Sequence, residues 1–193
     1  MGTVILSNKL KELINDLNGW TLFLDRDGVI NKRTVGDYVK SIKEFEFLQG
    51  VPEAISIFNK VFSHIIIVTN QQGIAKGVMS EEDLNEVHEH LHEELIKAGG
   101  KIDKIYFCPE LAETMSKMRK PEIGMAMQAQ KDFPTIDLNR SIMIGDTKSD
   151  MEFARKAGMQ AILLSDEHNQ DLDRSDYDGV TESLIDFAKV LNH

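Results

Sequence analysis

Short apolar segments alternate with longer amphipathic segments through almost the whole chain, and this alternation limits the folds that it can adopt. The apolar segments predict strands at 21–25, 64–69, 103–108, 141–145, 160–164 and 178–181. The segments between them predict helices at 51–61, 80–98, 122–132, 149–158 and 181–191. Strands that alternate with helices form a parallel sheet covered on both faces. We therefore expect an α/β fold with three layers and a Rossmann-like parallel sheet.

The composition is that of one folded domain. The chain has 193 residues, 41% of them hydrophobic, so it can bury a full core, and no linker or internal repeat divides it. In the first residues, Leu10, Leu13, Ile14 and Leu17 follow helical spacing. This pattern predicts an N-terminal helical extension (1–19) packed on a main domain (20–193). A monomer and a small homo-oligomer are both compatible with it.

Charge and hydropathy narrow the range of partners. A net charge of −10 at pH 7 disfavours binding to nucleic acid or to anionic lipid. No apolar run approaches the ~20 residues that span a bilayer. The single cysteine, Cys108, excludes an internal disulfide, and the first residues lack a secretory apolar core. We expect a cytoplasmic protein that acts on a small molecule, with no nucleic-acid or membrane partner.

Polar side chains follow several of the predicted strands at the point where each strand ends. Because the carboxyl ends of parallel strands meet at one edge of the sheet, these side chains should converge there. Alternation along a strand places Asp25 and Asp27 on the same side, where two carboxylates require a cation or a shared proton. Asp146 and Asp150 add hard oxygen ligands, which suit Mg²⁺ better than zinc. The sequence therefore predicts a magnesium site at this edge.

Four short segments resemble, in order, the motifs of the haloacid-dehalogenase (HAD) superfamily. They are LDRDG at 24–28, VTN at 68–70, RKP at 119–121 and IGDTKSD at 144–150, and the resemblance spans roughly residues 20–165. The longer words FLDRDGVIN, VTNQQGIAKG and RKPEIGM are similar to the branch that holds heptose-bisphosphate phosphatases and histidinol-phosphate phosphatases. The resemblance implies a HAD-like fold, and the short segments between the motifs predict little or no cap domain.

The resemblance also implies a role for each motif residue. Asp25 would be the nucleophile that forms an aspartyl-phosphate, and Asp27 the acid and base of the two steps. Thr69 and Lys120 would bind the phosphoryl oxygens. Magnesium would be held by Asp25, the carbonyl of Asp27 and Asp146, with Asp150 either a further ligand or the partner of Lys120. The predicted substrate-binding residues are Asn70, Gln71, Arg119 and Arg33, the last in an entrance segment at 31–39.

Several functions are compatible with these residues. We favour a Mg²⁺-dependent phosphatase that hydrolyses a small phosphomonoester, with D-glycero-D-manno-heptose 1,7-bisphosphate as the preferred substrate. Histidinol phosphate or another small phosphorylated metabolite is the first alternative, and a phosphoryl-transferring mutase of the same superfamily is the second. A receiver domain that only stores a phosphoryl group has no use for Asp27. The mutase is disfavoured because such enzymes usually carry a sizeable cap.

A structural zinc site is common in the resembling phosphatases, in the loop before Arg119. Here Cys108 stands at the first ligand position, but Glu110, Ser116 and Met118 stand at the other three. One thiolate and one carboxylate do not complete a tetrahedral zinc site. We expect no structural zinc, and a loop at 109–118 held by packing of Leu111, Met115 or Met118.

The sequence His-Glu-His-Leu-His at 88–92 also satisfies the HExxH pattern of zinc proteases. Val87, Leu91 and Leu95 mark the buried stripe of this helix, and no third ligand follows downstream. The pattern therefore predicts that His88 and His92 lie on a solvated helix face.

Overall fold

The structure, a computed structural model, describes residues 2–34, 36–165 and 172–191. Its centre is a seven-stranded sheet with the order β1-β7-β6-β5-β2-β3-β4, in which β1 is antiparallel to β7 and the other neighbours are parallel. The strands are β1 (Val4–Leu6), β2 (Thr21–Leu24), β3 (His64–Asn70), β4 (Lys104–Cys108), β5 (Ser141–Gly145), β6 (Gln160–Leu164) and β7 (Gly179–Thr181). The helices are α1 (Asn8–Leu13), α2 (Val51–Phe58), α3 (Glu81–Lys97), α4 (Gly124–Asp132), α5 (Lys148–Ala157) and α6 (Leu184–Leu191).

The central strands are apolar on both faces because helices cover both. In β2, Leu22 and Leu24 belong to the core under α1, α2, α3 and α6, whereas Phe23 belongs to the core under α4 and α5. Such continuous burial explains why these strands read as unbroken apolar runs in the sequence. The register sets Leu24 beside Ile67 of β3 and Ile144 of β5, so the residues that follow them lie at one edge.

The predicted α/β fold with three layers is confirmed. The described residues between β2 and α2 form turns and a short 3₁₀ helix at Ile42–Glu44, and α3 fills most of the connection from β3 to β4. Neither connection holds a domain-sized insertion in its described part, as the prediction of little or no cap requires. The described helices include none that is both long and apolar enough to cross a membrane.

The first residues differ from the helical extension predicted for 1–19. They begin with β1, which pairs with β7 through Ile5 and Val180, and the helix is confined to α1. A strand forms here because β7 would otherwise leave its backbone groups unpaired at the edge of the sheet. The side chain of Leu10 is fully buried in the main core. The N-terminal segment therefore contributes to the sheet and to the core.

Replacing Leu10 tests this integration. We expect Leu10→Ala to lower the free energy of unfolding by about 2–5 kcal/mol, since it removes a fully buried side chain and leaves a cavity. The control is Ile5→Thr, which keeps a β-branched side chain at a position 52% exposed and should cost less than ~1 kcal/mol. Urea denaturation followed by circular dichroism measures both. Equal, small losses would show that residues 1–19 are an appendage.

Candidate active site

A cavity of about 390 Å³ opens at the carboxyl ends of β2, β3 and β5, where the sequence predicted that the polar side chains converge. The predicted residues that line it are Asp25, Asp27, Arg33, Thr69, Asn70, Lys120 and Asp150. The sheet brings these residues together from four separate stretches of the chain. Its lining combines carboxylates with ammonium, guanidinium and hydroxyl groups, a set that can hold a phosphate and a cation together.

Lys120 lies at the bottom of the cavity and is 3% exposed. Its Nζ lies 2.8 Å from Asp25 Oδ1 and 2.6 Å from Asp150 Oδ1, and donates a hydrogen bond to the carbonyl of Val68 at 2.8 Å. Burial lowers the pKa of this ammonium, but the charges of Asp150 and Asp25 outweigh burial and hold the pKa above its ordinary value. Lys120 is therefore a permanent cation beside the carboxylate of Asp25.

The backbone and partners of Lys120 are themselves fixed. Asn70 donates to the Lys120 carbonyl at 3.1 Å and accepts from the Lys120 N–H at 3.0 Å. Asp150 accepts from the N–H and the hydroxyl of Thr147 at 3.0 and 2.5 Å, which caps α5. Gly145 permits the close approach, since a Cβ there would lie 2.2 Å from the Cβ of Asp150. Asn70 thus positions Lys120, whereas its predicted contact with substrate and the metal contact of Asp150 stay predictions.

Three carboxylates crowd together at the cavity, and two of them, Asp25 and Asp150, line it. Oxygen atoms of Asp25, Asp146 and Asp150 lie within 4.8 Å of one another. Burial, opposed chiefly by Lys120, raises the pKa of Asp25 to about 6. Burial and then the charges of Asp25 and Asp150 raise the pKa of Asp146 to about 8. Such crowding favours a bound cation, because a cation relieves the repulsion and keeps the carboxylates ionised.

Arg33 supplies part of the positive charge that these crowded carboxylates require. Its Nη2 donates to Asp146 Oδ1 at 2.8 Å and to the backbone carbonyl of Asp27 at 3.0 Å. These two oxygens are among those that the family resemblance assigned to magnesium, so a positively charged group already faces them. An all-oxygen set of carboxylates and a carbonyl fits Mg²⁺. The predicted contact of Arg33 with substrate stays a prediction, and in this structure its partners are the candidate metal ligands.

Asp27 lines the same cavity as Asp25, but strand alternation does not explain its position. β2 ends at Leu24, so the alternation stops before these residues. The carboxylate of Asp27 turns toward Arg26, which donates to it from Nε at 3.2 Å and from Nη2 at 2.9 Å to each oxygen. Burial raises the pKa of Asp27, but Arg26 and hydrogen bonds from Asn31 and Gln71 outweigh burial and hold the pKa below its ordinary value. Its backbone carbonyl accepts from Arg33, which also binds Asp146.

Gln71 does not line the entrance, which corrects the prediction that it binds substrate. Its side chain is fully buried. Its Nε2 donates to Asp27 Oδ2 at 2.8 Å and to Thr69 Oγ1 at 2.9 Å. Since the oxygen of Thr69 accepts this bond, the Thr69 hydroxyl keeps its own hydrogen for a phosphoryl oxygen. Gln71 therefore orients two of the predicted catalytic groups.

Arg119 lies half-buried beside the cavity, and its Nη1 donates to the carbonyl of Glu110 at 3.3 Å. It is not among the residues that line the cavity.

A further cation that lines the cavity, at its mouth, is Lys76, which the sequence did not single out. Lys76 Nζ donates to the hydroxyl of Tyr38 at 3.0 Å. Tyr38 belongs to the predicted entrance segment 31–39, in which residue 35 lies outside the described residues. The signal for Lys76 was its place in the loop after β3.

The loop at 109–118 follows part of the prediction. Cys108 is fully buried, with its Sγ 4.0 Å from the hydroxyl of Ser116. Met118 packs against the core under α4 and α5, as expected. Met115, another of the three residues named, is 86% exposed and does not pack. Its backbone has φ +51° at the end of a 3₁₀ turn, which directs the side chain to solvent. The absence of structural zinc stays a prediction.

The HExxH segment also departs from its prediction at one residue. His92 is exposed, but His88 is 9% exposed and its ring faces Arg26. The wide apolar stripe of α3 admits His88 because Arg26, buried behind Asp27, offers it a polar partner. The positive charge of Arg26 disfavours a metal cation at the same nitrogen.

Comparisons with known proteins agree with this geometry. A HAD-hydrolase-like family model matches residues 117–187. A D-glycero-alpha-D-manno-heptose-1,7-bisphosphate 7-phosphatase of Mycobacterium tuberculosis is 39% identical over 142 residues, which is 74% of this chain and 75% of that protein. A D-glycero-beta-D-manno-heptose-1,7-bisphosphate 7-phosphatase of Rhodopseudomonas palustris is 36% identical over 152 residues, covering 75% of this chain and 83% of the relative.

A solved structure extends the similarity to the fold. The D,D-heptose 1,7-bisphosphate phosphatase from B. bronchiseptica, complexed with magnesium and phosphate, superposes with a TM-score of 0.80 and 29% identity. The alignment covers 89% of this chain and 97% of that one. Sequence, fold and site therefore lead to one assignment: the chain belongs to the HAD-like family of the heptose-1,7-bisphosphate 7-phosphatases and is a phosphomonoester hydrolase.

Proposed function

We propose that this chain is a Mg²⁺-dependent sugar phosphatase that removes the 7-phosphate of a D-glycero-D-manno-heptose 1,7-bisphosphate through an aspartyl-phosphate on Asp25. The observation that carries the proposal is the buried contact of Asp25 with Lys120, beside Asp146 and Asp150, at the bottom of an open cavity. A carboxylate next to a fixed cation can attack phosphorus while that cation receives the phosphoryl charge.

In the first step Asp25 attacks the phosphorus and the sugar oxygen leaves. Lys120 and the hydroxyl of Thr69 bind phosphoryl oxygens, because both groups line the cavity beside Asp25. Donors held in place before the reaction contribute a few kcal/mol each to the transition state, on the order of oxyanion-hole donors. When Asp25 is phosphorylated it loses its negative charge, and the ion pair with Asp150 still holds the Lys120 ammonium in place.

Asp27 moves the protons of both steps. Its lowered pKa leaves it ionised at rest, the form that takes a proton from the water that hydrolyses the aspartyl-phosphate. For the first step it must carry a proton, and the negative charge of a bound phosphate favours protonation of a neighbouring carboxylate. The proton then passes to the leaving sugar oxygen. Arg26, Asn31 and Gln71 hold the carboxylate in place for both transfers.

Asp25, Asp146 and the carbonyl of Asp27 would hold the magnesium, with Asp150 beside them. When bound, the ion supplies positive charge that neutralises developing charge on the phosphoryl group. The relative from B. bronchiseptica was crystallised with magnesium and phosphate, which supports this cofactor. Arg33 contacts two of the same oxygens, so its guanidinium competes with a metal for them.

The names of the relatives support a sugar bisphosphate as substrate, and relatives of similar identity carry the names of both anomers. A bisphosphate brings a second anionic group. Lys76 lines the mouth of the cavity, and it is placed to receive a phosphate away from Lys120. The chemistry at Asp25 is the same for any primary phosphate, so this second contact sets the preference.

Replacing the nucleophile tests the mechanism. We expect Asp25→Asn to lower phosphate release at least about a thousandfold, because the amide has no attacking anion. Asp16→Asn makes the same change at an exposed position outside the cavity and should keep parental activity. Phosphate release by the purified proteins measures both. Asp25→Asn turnover within tenfold of the parent contradicts an aspartyl-phosphate at this residue.

The metal site has its own test. We expect EDTA to abolish activity, Mg²⁺ to restore it and Ca²⁺ to fail to restore it, because the looser coordination of Ca²⁺ misplaces the attacking carboxylate.

A second test concerns Arg33. Titration calorimetry should show that Arg33→Gln binds Mg²⁺ several-fold more tightly than the parent, since the substitution removes a competing cation. Lys32→Gln removes the same charge from a neighbouring residue that pairs with Glu46 and should leave Mg²⁺ affinity near the parental value. Equal affinities in the two variants would mean that Arg33 does not compete with the metal.

Substrate choice is measured by kcat/KM on heptose 1,7-bisphosphate, heptose 7-phosphate and histidinol phosphate. We expect the bisphosphate to have the highest kcat/KM, because Lys76 binds its second phosphate. The product should be heptose 1-phosphate, identified by ³¹P NMR. Lys76→Gln should narrow the preference for bisphosphate over monophosphate, and Lys101→Gln, an exposed lysine outside the cavity, should not. A higher kcat/KM on histidinol phosphate would reverse the assignment.

A further inference from the structure

A fully buried guanidinium, that of Arg26, lies between the two catalytic aspartates in sequence. It donates to both oxygens of Asp27, and its Nη1 lies 3.0 Å from Nε2 of His88. A buried charge persists only when its donors are matched by partners, because each lost partner leaves a desolvated group. Asp27 and His88 therefore hold this guanidinium from two sides.

The ring of His88 has one chemical role at this contact. A guanidinium carries only donors, so the nitrogen that faces it must accept, and the proton of the neutral ring is on Nδ1. Burial and then the charge of Arg26 lower the pKa of His88 to about 3, so the ring stays neutral over the range in which a phosphatase works. His88 is thus a permanent acceptor on α3, aimed at the group that binds Asp27.

We propose that His88 is a positioning residue for the acid–base group: by accepting from Arg26 it fixes the guanidinium, which in turn fixes the carboxylate of Asp27. This inference rests on the proposed role of Asp27. The long helix α3 thereby determines where the proton is delivered, although no residue of α3 lines the cavity.

The contacts of Asp27 explain why the position of Arg26 matters. Asn31 and Gln71 each bind one oxygen of Asp27, at 2.9 and 2.8 Å, and of these three described partners only Arg26 binds both. Proton transfer requires a donor–acceptor distance of about 2.6–3.2 Å, so a small rotation of the carboxylate removes it from reach. Without an acceptor at His88, Nη1 is left unpaired in a buried place and the guanidinium moves to find another partner.

The dependence on the leaving group separates this role from simple packing. The general acid matters for an alkyl phosphate, whose alkoxide leaves poorly, and little for p-nitrophenyl phosphate, whose phenolate leaves without a proton. For both substrates kcat/KM reports the step in which the leaving group departs. A loss of packing lowers both values alike, whereas a misplaced acid lowers mainly the alkyl value.

The test compares His88→Leu, which removes the acceptor, with His88→Gln, which supplies a carbonyl oxygen as acceptor. We expect His88→Leu to lose about tenfold to a hundredfold in kcat/KM on the sugar phosphate and less than threefold on p-nitrophenyl phosphate, and His88→Gln to recover most of the loss. His92→Leu, the same change at an exposed position of α3, should match the parent on both substrates. If His88→Leu does not fold, His88→Met replaces it with the same expectation.

Asp27→Asn provides the reference for the proposed function. It should show the same selective loss in a stronger form, and its failure to do so would refute the acid role of Asp27 itself. If Asp27→Asn is selective while His88→Leu loses equally on both substrates, or loses nothing, the positioning inference alone is overturned. Failure of His88→Gln to recover activity that His88→Leu has lost selectively also overturns it.

Discussion

The ammonium of Lys120 lies between carboxylate oxygens of Asp25 and Asp150 at 2.8 and 2.6 Å, in a place that water scarcely reaches. Removing one partner of such a buried pair costs about 3–5 kcal/mol, because the remaining charge is left without compensation. Neighbouring groups hold both partners: Asn70 binds the Lys120 backbone, and Asp150 is held as the cap of α5. Gly145, which has no side chain, leaves room for Asp150. The protein's own groups therefore set the position of the Lys120 ammonium.

Two aspartates separated by one residue have opposite environments. Burial raises the pKa of Asp25 despite the charge of Lys120, whereas Arg26, Asn31 and Gln71 outweigh burial and lower the pKa of Asp27. Paired carboxyl groups with divergent pKa values suit divergent roles. Here both aspartates line one cavity, and the divergence arises because Asp25 pairs with Lys120 and Asp27 with Arg26. The two aspartates of one motif therefore have different partners and different pKa values.

Much of the fold and of the site could be predicted from the sequence. The strands at 141–145 and 160–164 have the predicted bounds, because apolar runs buried on both faces leave a strong local signal. Helix α3, predicted at 80–98, begins after Ser80, which forms a capping box with Asp83, and this too is a local signal. The strand at Val4–Leu6 was missed, because its stability comes from β7, far away in the chain. His88 was misplaced because helical spacing does not reveal a buried partner, and loop composition does not reveal the left-handed turn that exposes Met115.

The sequence by itself determined which chemical groups follow the strands, since the order of the strands along the chain and the spacing of the motifs are properties of the sequence. It therefore sufficed for Asp25, Thr69, Lys120 and Asp146 as candidates for the site. Only the tertiary structure decided what each group faces: Gln71 turns to Asp27, Arg33 to Asp146 and Arg26 to His88. The physical reason is that hydrogen-bond partners of buried polar groups are supplied by distant segments, and only the folded sheet brings those segments within 3 Å or so of one another.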